Sequence, residues 1–184
     1  MTINRNEAGA MLADVDAIVA RVKQSRLYRR IGEVTILWGV VIVCGHLLSV
    51  AAAPRWSPWD WRAADVFGVV ATIVLVARGR WSQGLRIPLR VLAIFALFFG
   101  FGLLWSALLG RFGPRELDAF WPTLVLFGYA LAGLWLGAVF AALGLGLSAL
   151  IVAGYFWSGE WFNLWLAVVN GGGFILCGLW MRRA

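Results

Sequence analysis

Between residues 5 and 28, Met11, Leu12, Val15, Ile18, Val19 and Val22 recur at steps of three and four, the spacing that gathers apolar side chains on one face of a helix. Asn4, with Glu7 three residues on, has the form of a helix start. The segment then turns basic through Arg21, Lys23, Arg26, Arg29 and Arg30. After it the pattern changes from amphipathic to apolar all round, which is how a lipid-immersed helix reads.

Six apolar segments follow, at about 31–53, 59–77, 88–110, 119–138, 141–157 and 161–181. The 41 residues from 119 to 159 hold no charged side chain. At 1.5 Å per residue that is twice what one crossing needs, because about 20 residues already span the hydrocarbon. Two helices with a tight turn near residues 137–142 are therefore expected. The fold class predicted is all-α: a polytopic six-helix transmembrane bundle (31–184) preceded by an amphipathic basic helix (1–30).

With the N-terminus placed in the cytoplasm, the inner segments hold twelve Lys and Arg and the outer ones four, Arg55, Arg62, Arg111 and Arg115. This asymmetry predicts both termini inside, and hence an even number of crossings. Tryptophans support the same depths: Trp56, Trp59, Trp61, Trp121, Trp157 and Trp161 fall near the outer interface, Trp81 and Trp180 near the inner one. No apolar h-region precedes residue 30, so the first apolar segment is expected to be retained as an anchor.

Composition narrows the reading. Hydrophobic residues make up 62% of the chain and charged ones 14%, against about 45–50% apolar in soluble domains. The net charge of +7 would suggest nucleic acid in a soluble protein, but these basic residues lie between apolar runs, where they act as topology signals and headgroup anchors. Cys44 and Cys177 lie in different apolar segments without C-x-x-C spacing, at depths that differ by roughly 15 Å, and both are expected to be free.

Candidate chemistry is sparse. His46 is the only histidine, so a bis-histidine haem, a zinc site or a histidine-based catalytic pair lacks partners; no metal or other cofactor is expected. An ionisable group within an apolar segment is nevertheless a functional candidate, which singles out His46 and Glu33. Arg62 and Asp65, one turn apart, suit a local ion pair. Gly146-Leu-Ser148-Ala149 resembles the Gly-x-Ser-Gly nucleophile of rhomboid proteases, but the last glycine is replaced and no histidine follows. An enzyme is not expected.

The last segment carries the most information. Asn163, Asn170 and Cys177 recur every seven residues, with Gly171, Gly172, Gly173 and Gly178 around them, and such a stripe must face protein because an amide in lipid needs a partner. Gly133 and Gly137 form a G-x-x-x-G, a further candidate for close helix contact. The ending FNLWLAVVNGGGFILCGLWMRR resembles that of a group of uncharacterised bacterial integral membrane proteins, in which a polar N-terminal helix precedes several transmembrane helices. The resemblance covers about 25 residues here, is weaker over 5–45, and implies a bacterial inner-membrane location without assigning an activity. Where that group has a basic residue after Leu136-Gly137, this chain has Ala138-Val139-Phe140.

The function expected is a non-catalytic interaction or regulatory protein, whose helix 5–28 docks on a cytoplasmic partner, on a second copy of the chain or on membrane lipids. The alternative is a small-solute permease or substrate-capture subunit, lined near the midplane by Asn170, Asn163 and His46, since six helices in about 180 residues also describes vitamin-binding subunits of bacterial uptake systems.

Overall fold

A computed structural model describes residues 5–51, 57–80 and 89–183, and every element among them is helical. The chain forms α1 (Arg5–Ala51), α2 (Ser57–Arg80), α3 (Leu89–Leu103, extended by a π-turn at Leu104–Leu109), α4 (Pro114–Leu136), α5 (Ala138–Trp157), α6 (Phe162–Leu166) and α7 (Gly172–Arg183). A 3₁₀ turn at Gly159–Trp161 leads into α6, and a second π-turn at Ala167–Gly171 joins α6 to α7 in one rod. The start signal at Asn4 lies outside the described residues, as do Ala52 to Trp56 and Trp81 to Pro88.

The two units expected at 1–30 and 31–184 are not separated: α1 is one unbroken helix of 47 residues, about 70 Å long at 1.5 Å per residue. No proline interrupts residues 5–51, and nothing else in the segment stops the hydrogen-bond ladder where polarity changes.

Among the described residues, four stretches are long and apolar enough to cross a membrane, Tyr28–Ala51, Pro114–Leu136, Ala138–Trp157 and Gly159–Arg183. Six were expected; α2 and α3 are not among these four. Every 18-residue stretch of α2 contains three charges drawn from Asp60, Arg62, Asp65, Arg78 and Arg80. In α3 the shorter apolar helix among the described residues is Ala93–Leu108.

The uncharged run divides as anticipated, at a single residue. Gly137 has φ 123°, a left-handed conformation that side chains with a Cβ rarely adopt, and it reverses α4 into α5. This glycine therefore serves the turn, while Gly133 makes the helix contact, against Ala141. The Tyr28 hydroxyl donates to the Leu136 carbonyl at 2.8 Å, clasping the turn to α1. At the opposite end, the Arg115 guanidinium donates to the carbonyls of Gly159 (2.8 Å) and Tyr155 (2.7 Å), accepting groups that the end of α5 leaves open. Leu126, Ile151, Phe162, Leu166 and Phe174 form the core between α4, α5, α6 and α7.

A close antiparallel crossing packs α1 against α7. A Cβ on Gly32 would lie 2.7 Å from the Gly178 carbonyl oxygen, and one on Gly178 would lie 2.6 Å from that of Gly32. One turn pair further, Gly39 and Gly171 face each other with the same reciprocity, at 2.9 and 3.1 Å. Seven residues separate the glycines on each helix, so both contacts fall on one seam and let the backbones touch. α2 packs on a neighbouring face of α1 by another device: the Trp61 ring covers Gly45, the Trp38 ring covers Gly68, and Trp38 Nε1 donates to Thr72 Oγ1 at 3.1 Å.

Replacing Gly39 by Leu should force the α1–α7 seam apart and cost about 1–3 kcal/mol, read as a lowered midpoint of thermal unfolding in detergent. Gly146→Ala, where an added Cβ meets nothing within 4 Å, should instead gain about 0.5–1 kcal/mol from helix propensity.

Candidate functional site

The seam continues past the glycines into a side-chain bond between α1 and α6. Seven residues beyond Gly39 lies His46, and eight residues before Gly171 lies Asn163; His46 Nδ1 is 3.1 Å from Asn163 Oδ1. The histidine is 1% exposed, and Trp61 from α2 presses on it edge to face with ring centroids 4.7 Å apart. In the tautomer protonated at Nδ1 the imidazole donates to the amide oxygen, which fixes the ring and leaves Nε2 as a lone pair. That nitrogen is buried and has no hydrogen-bond partner.

Asn170 lies two turns along the same rod, inside the π-turn Ala167–Gly171, and is 2% exposed. Its Oδ1 is also buried without a partner. The expectation that neighbouring glycines admit a backbone near this residue is met in geometry, since Gly171 closes on Gly39 and Val43. The amide oxygen gains no bond from that approach. A π-turn widens the helix by one residue and commonly marks a strained or functional position, and here it coincides with the orphan oxygen.

The sequence candidates thus divide. His46 and Asn163 are brought together, and Asn170 is buried on the same rod without bonding to either. Glu33 is half-buried near the polar end of the apolar part of α1. Of the glycines, Gly171 and Gly178 face α1, Gly173 meets the Leu147 side chain, and Gly172 has nothing within 4 Å of where a Cβ would be. Cys44 is exposed and Cys177 half-buried, both as free thiols. No group of three or more His, Cys, Asp or Glu that could hold a metal occurs among the described residues.

Two shallow hollows open on the surface, one of about 590 Å³ along Arg62, Ala63, Val66, Phe67 and Val70, the other of about 200 Å³ at Val50, Glu160, Trp161 and Leu164. Neither is lined by His46, Asn163 or Asn170. Thr35 adds one more buried hydroxyl to α1, donating to the Ile31 carbonyl at 2.8 Å and lying 3.4 Å from the Tyr129 hydroxyl. Sequence reasoning missed Trp61 as the lid on His46, having placed it among the interfacial anchors. The signal was present as Gly32, Gly39 and His46 at steps of seven, and Gly178, Gly171 and Asn163 at steps of seven and eight, which match when one helix is reversed.

A net hydrogen bond is worth about 0.5–1.5 kcal/mol, but an orphaned buried group costs about 1–3 kcal/mol. Asn163→Leu should therefore destabilise by about 1–3 kcal/mol, and adding His46→Phe should recover most of it, as a double-mutant cycle in thermal unfolding will show. Asn170→Leu removes an oxygen that lacks a partner, so its melting midpoint should stay level or rise. A fall of several degrees would mean that Oδ1 is bonded in the working protein.

Compared with protein-family models, with curated proteins and with solved structures, the chain matches none.

Proposed function

We propose that this chain is an inner-membrane protein that works by interaction rather than catalysis, presenting the N-terminal half of α1 as its docking element. The bundle holds that element in place, with α2 and α3 completing six passages of the bilayer and both termini in the cytoplasm. One observation carries the reading. Met11, Val15, Ile18, Val19 and Val22 are all exposed on a helix that extends about 35 Å beyond the apolar stretch Tyr28–Ala51. An apolar stripe in water favours a covering surface.

The continuity of α1 bears on what that surface is. A helix that lies on the lipid plane has to turn through a right angle where it leaves the bilayer, and α1 has no break at Tyr28. A protein surface beyond the headgroups suits it better than lipid. The basic residues Arg26, Arg29 and Arg30 fall where the helix emerges, at the level of anionic headgroups.

A second reading draws on the orphaned His46 Nε2 and Asn170 Oδ1. In that reading both polar atoms face a small solute admitted between α1, α6 and α7, and the protein is a capture subunit.

Deleting residues 1–27 keeps the Tyr28 clasp and should leave the chain resistant to alkaline extraction from membranes, while its assembly size in mild detergent falls or its partner is lost. Unchanged assembly size and partner recovery would overturn the docking reading. A small molecule that co-purifies stoichiometrically and is lost in His46→Phe would favour capture instead.

A further inference from the structure

We propose that the surface covering α1 is a second copy of this chain, with the two α1 helices parallel and in contact from Met11 to Ala51. The proposal rests on the membrane reading above and names the partner. Along α1 the exposed positions include Met11, Val15, Ile18, Val22, Arg29, Val40, Cys44, Leu47 and Ala51. Eighteen residues make five full turns, so residues 11, 29 and 47 share one angular position, as do 22 and 40. The exposed stripe of the projecting half is thus continued at Arg29, Val40, Cys44, Leu47 and Ala51, with Glu33 and Ile36 half-buried between them. Gly32, Thr35, Gly39 and His46 lie to one side of it, where α6 and α7 dock, and Val41 and Gly45 to the other, where α2 docks.

Area decides how much of this face a partner must use. Taking a helix as about 10 Å wide, residues 11–25 offer about 200 Å² per copy, far below the roughly 800 Å² per partner of a standard interface. The face from residue 11 to 51 offers about 600 Å² per copy, close to the lower bound of about 1,200 Å² in total. Lipid can cover Val40, Leu47 and Ala51 but not Met11, Val15 and Ile18. A partner that follows α1 through both environments needs an apolar-surfaced helix in the bilayer continuous with an amphipathic one in water, and the chain itself supplies that.

Copies inserted in one membrane point the same way, so the pair is parallel with its two-fold axis along the membrane normal. Val15 and Val22, seven residues apart, then meet their counterparts across the axis, and β-branched residues at such positions favour two-stranded pairing. Arg29 and Glu33 lie one turn apart on this face, so Arg29 of one copy comes beside the partner's Glu33 and the exchange is reciprocal.

The test uses full-length chains in native membrane vesicles, with both cysteines replaced by serine and single cysteines introduced as Leu47→Cys or Leu97→Cys. Leu47 is on the α1 face, and Leu97, 74% exposed, is on α3. With a short bismaleimide, Leu47→Cys should give a band at twice the monomer mass and Leu97→Cys should not. Adding Ile18→Glu to Leu47→Cys should reduce that band about tenfold, the ratio that corresponds to about 1.4 kcal/mol of association. Equal cross-linking at the two positions, none at residue 47, or no effect of Ile18→Glu would each overturn the proposal. Alkaline extraction of the same vesicles separates the two ideas: a retained chain that fails to cross-link refutes the pairing alone, and a released chain refutes the membrane reading beneath it.

Discussion

Everything in this fold depends on how closely α1 and α7 approach. In an apolar surrounding no hydrophobic force drives two apolar helices together, and association relies on packing, hydrogen bonds and the absence of side chains in the way. Gly32 against Gly178 and Gly39 against Gly171 meet that condition twice at one spacing. The seam sets the depth at which His46 meets Asn163, and it leaves free the face on which Trp61 of α2 covers Gly45 and Trp38 of α1 covers Gly68. The helices are thus keyed in axial position and not merely attracted.

That keying has a polar cost, located where the sequence is least regular. Next to the Gly39–Gly171 contact, the rod widens into a π-turn and buries an amide oxygen without a partner. At the other end of the seam an imidazole nitrogen is in the same condition. A purely structural seam would have no need of either group, because leucine or phenylalanine could fill both volumes without an orphaned atom. Their presence makes this region the one where chemistry and packing are least separable.

Much of the architecture was legible because it follows from period and polarity. The all-helical class, the reversal at Gly137 and the burial of Asn170 all came from patterns that physical chemistry constrains strongly. Six crossings did not follow as readily, since counting apolar segments ignores how charges such as Arg62, Asp65 and Arg78 are distributed within one helix. The boundary between the first two units also failed to appear: a change in polarity ends an apolar face, but only proline, glycine geometry or a cap ends a helix. Partnerships such as Arg115 with the end of α5, or Trp61 with His46, were beyond a single-sequence reading, because they join residues 40 and 15 positions apart through geometry alone.

The hairpin of α4 and α5 has no charged residue at its turn to mark which side of a bilayer that turn belongs on. The hydroxyl of Tyr28 holds the turn at the end of the bundle where α1 is most basic. The end of the bundle at which the hairpin turns is thus fixed by a neighbour, through one hydrogen bond and the fit around a single glycine.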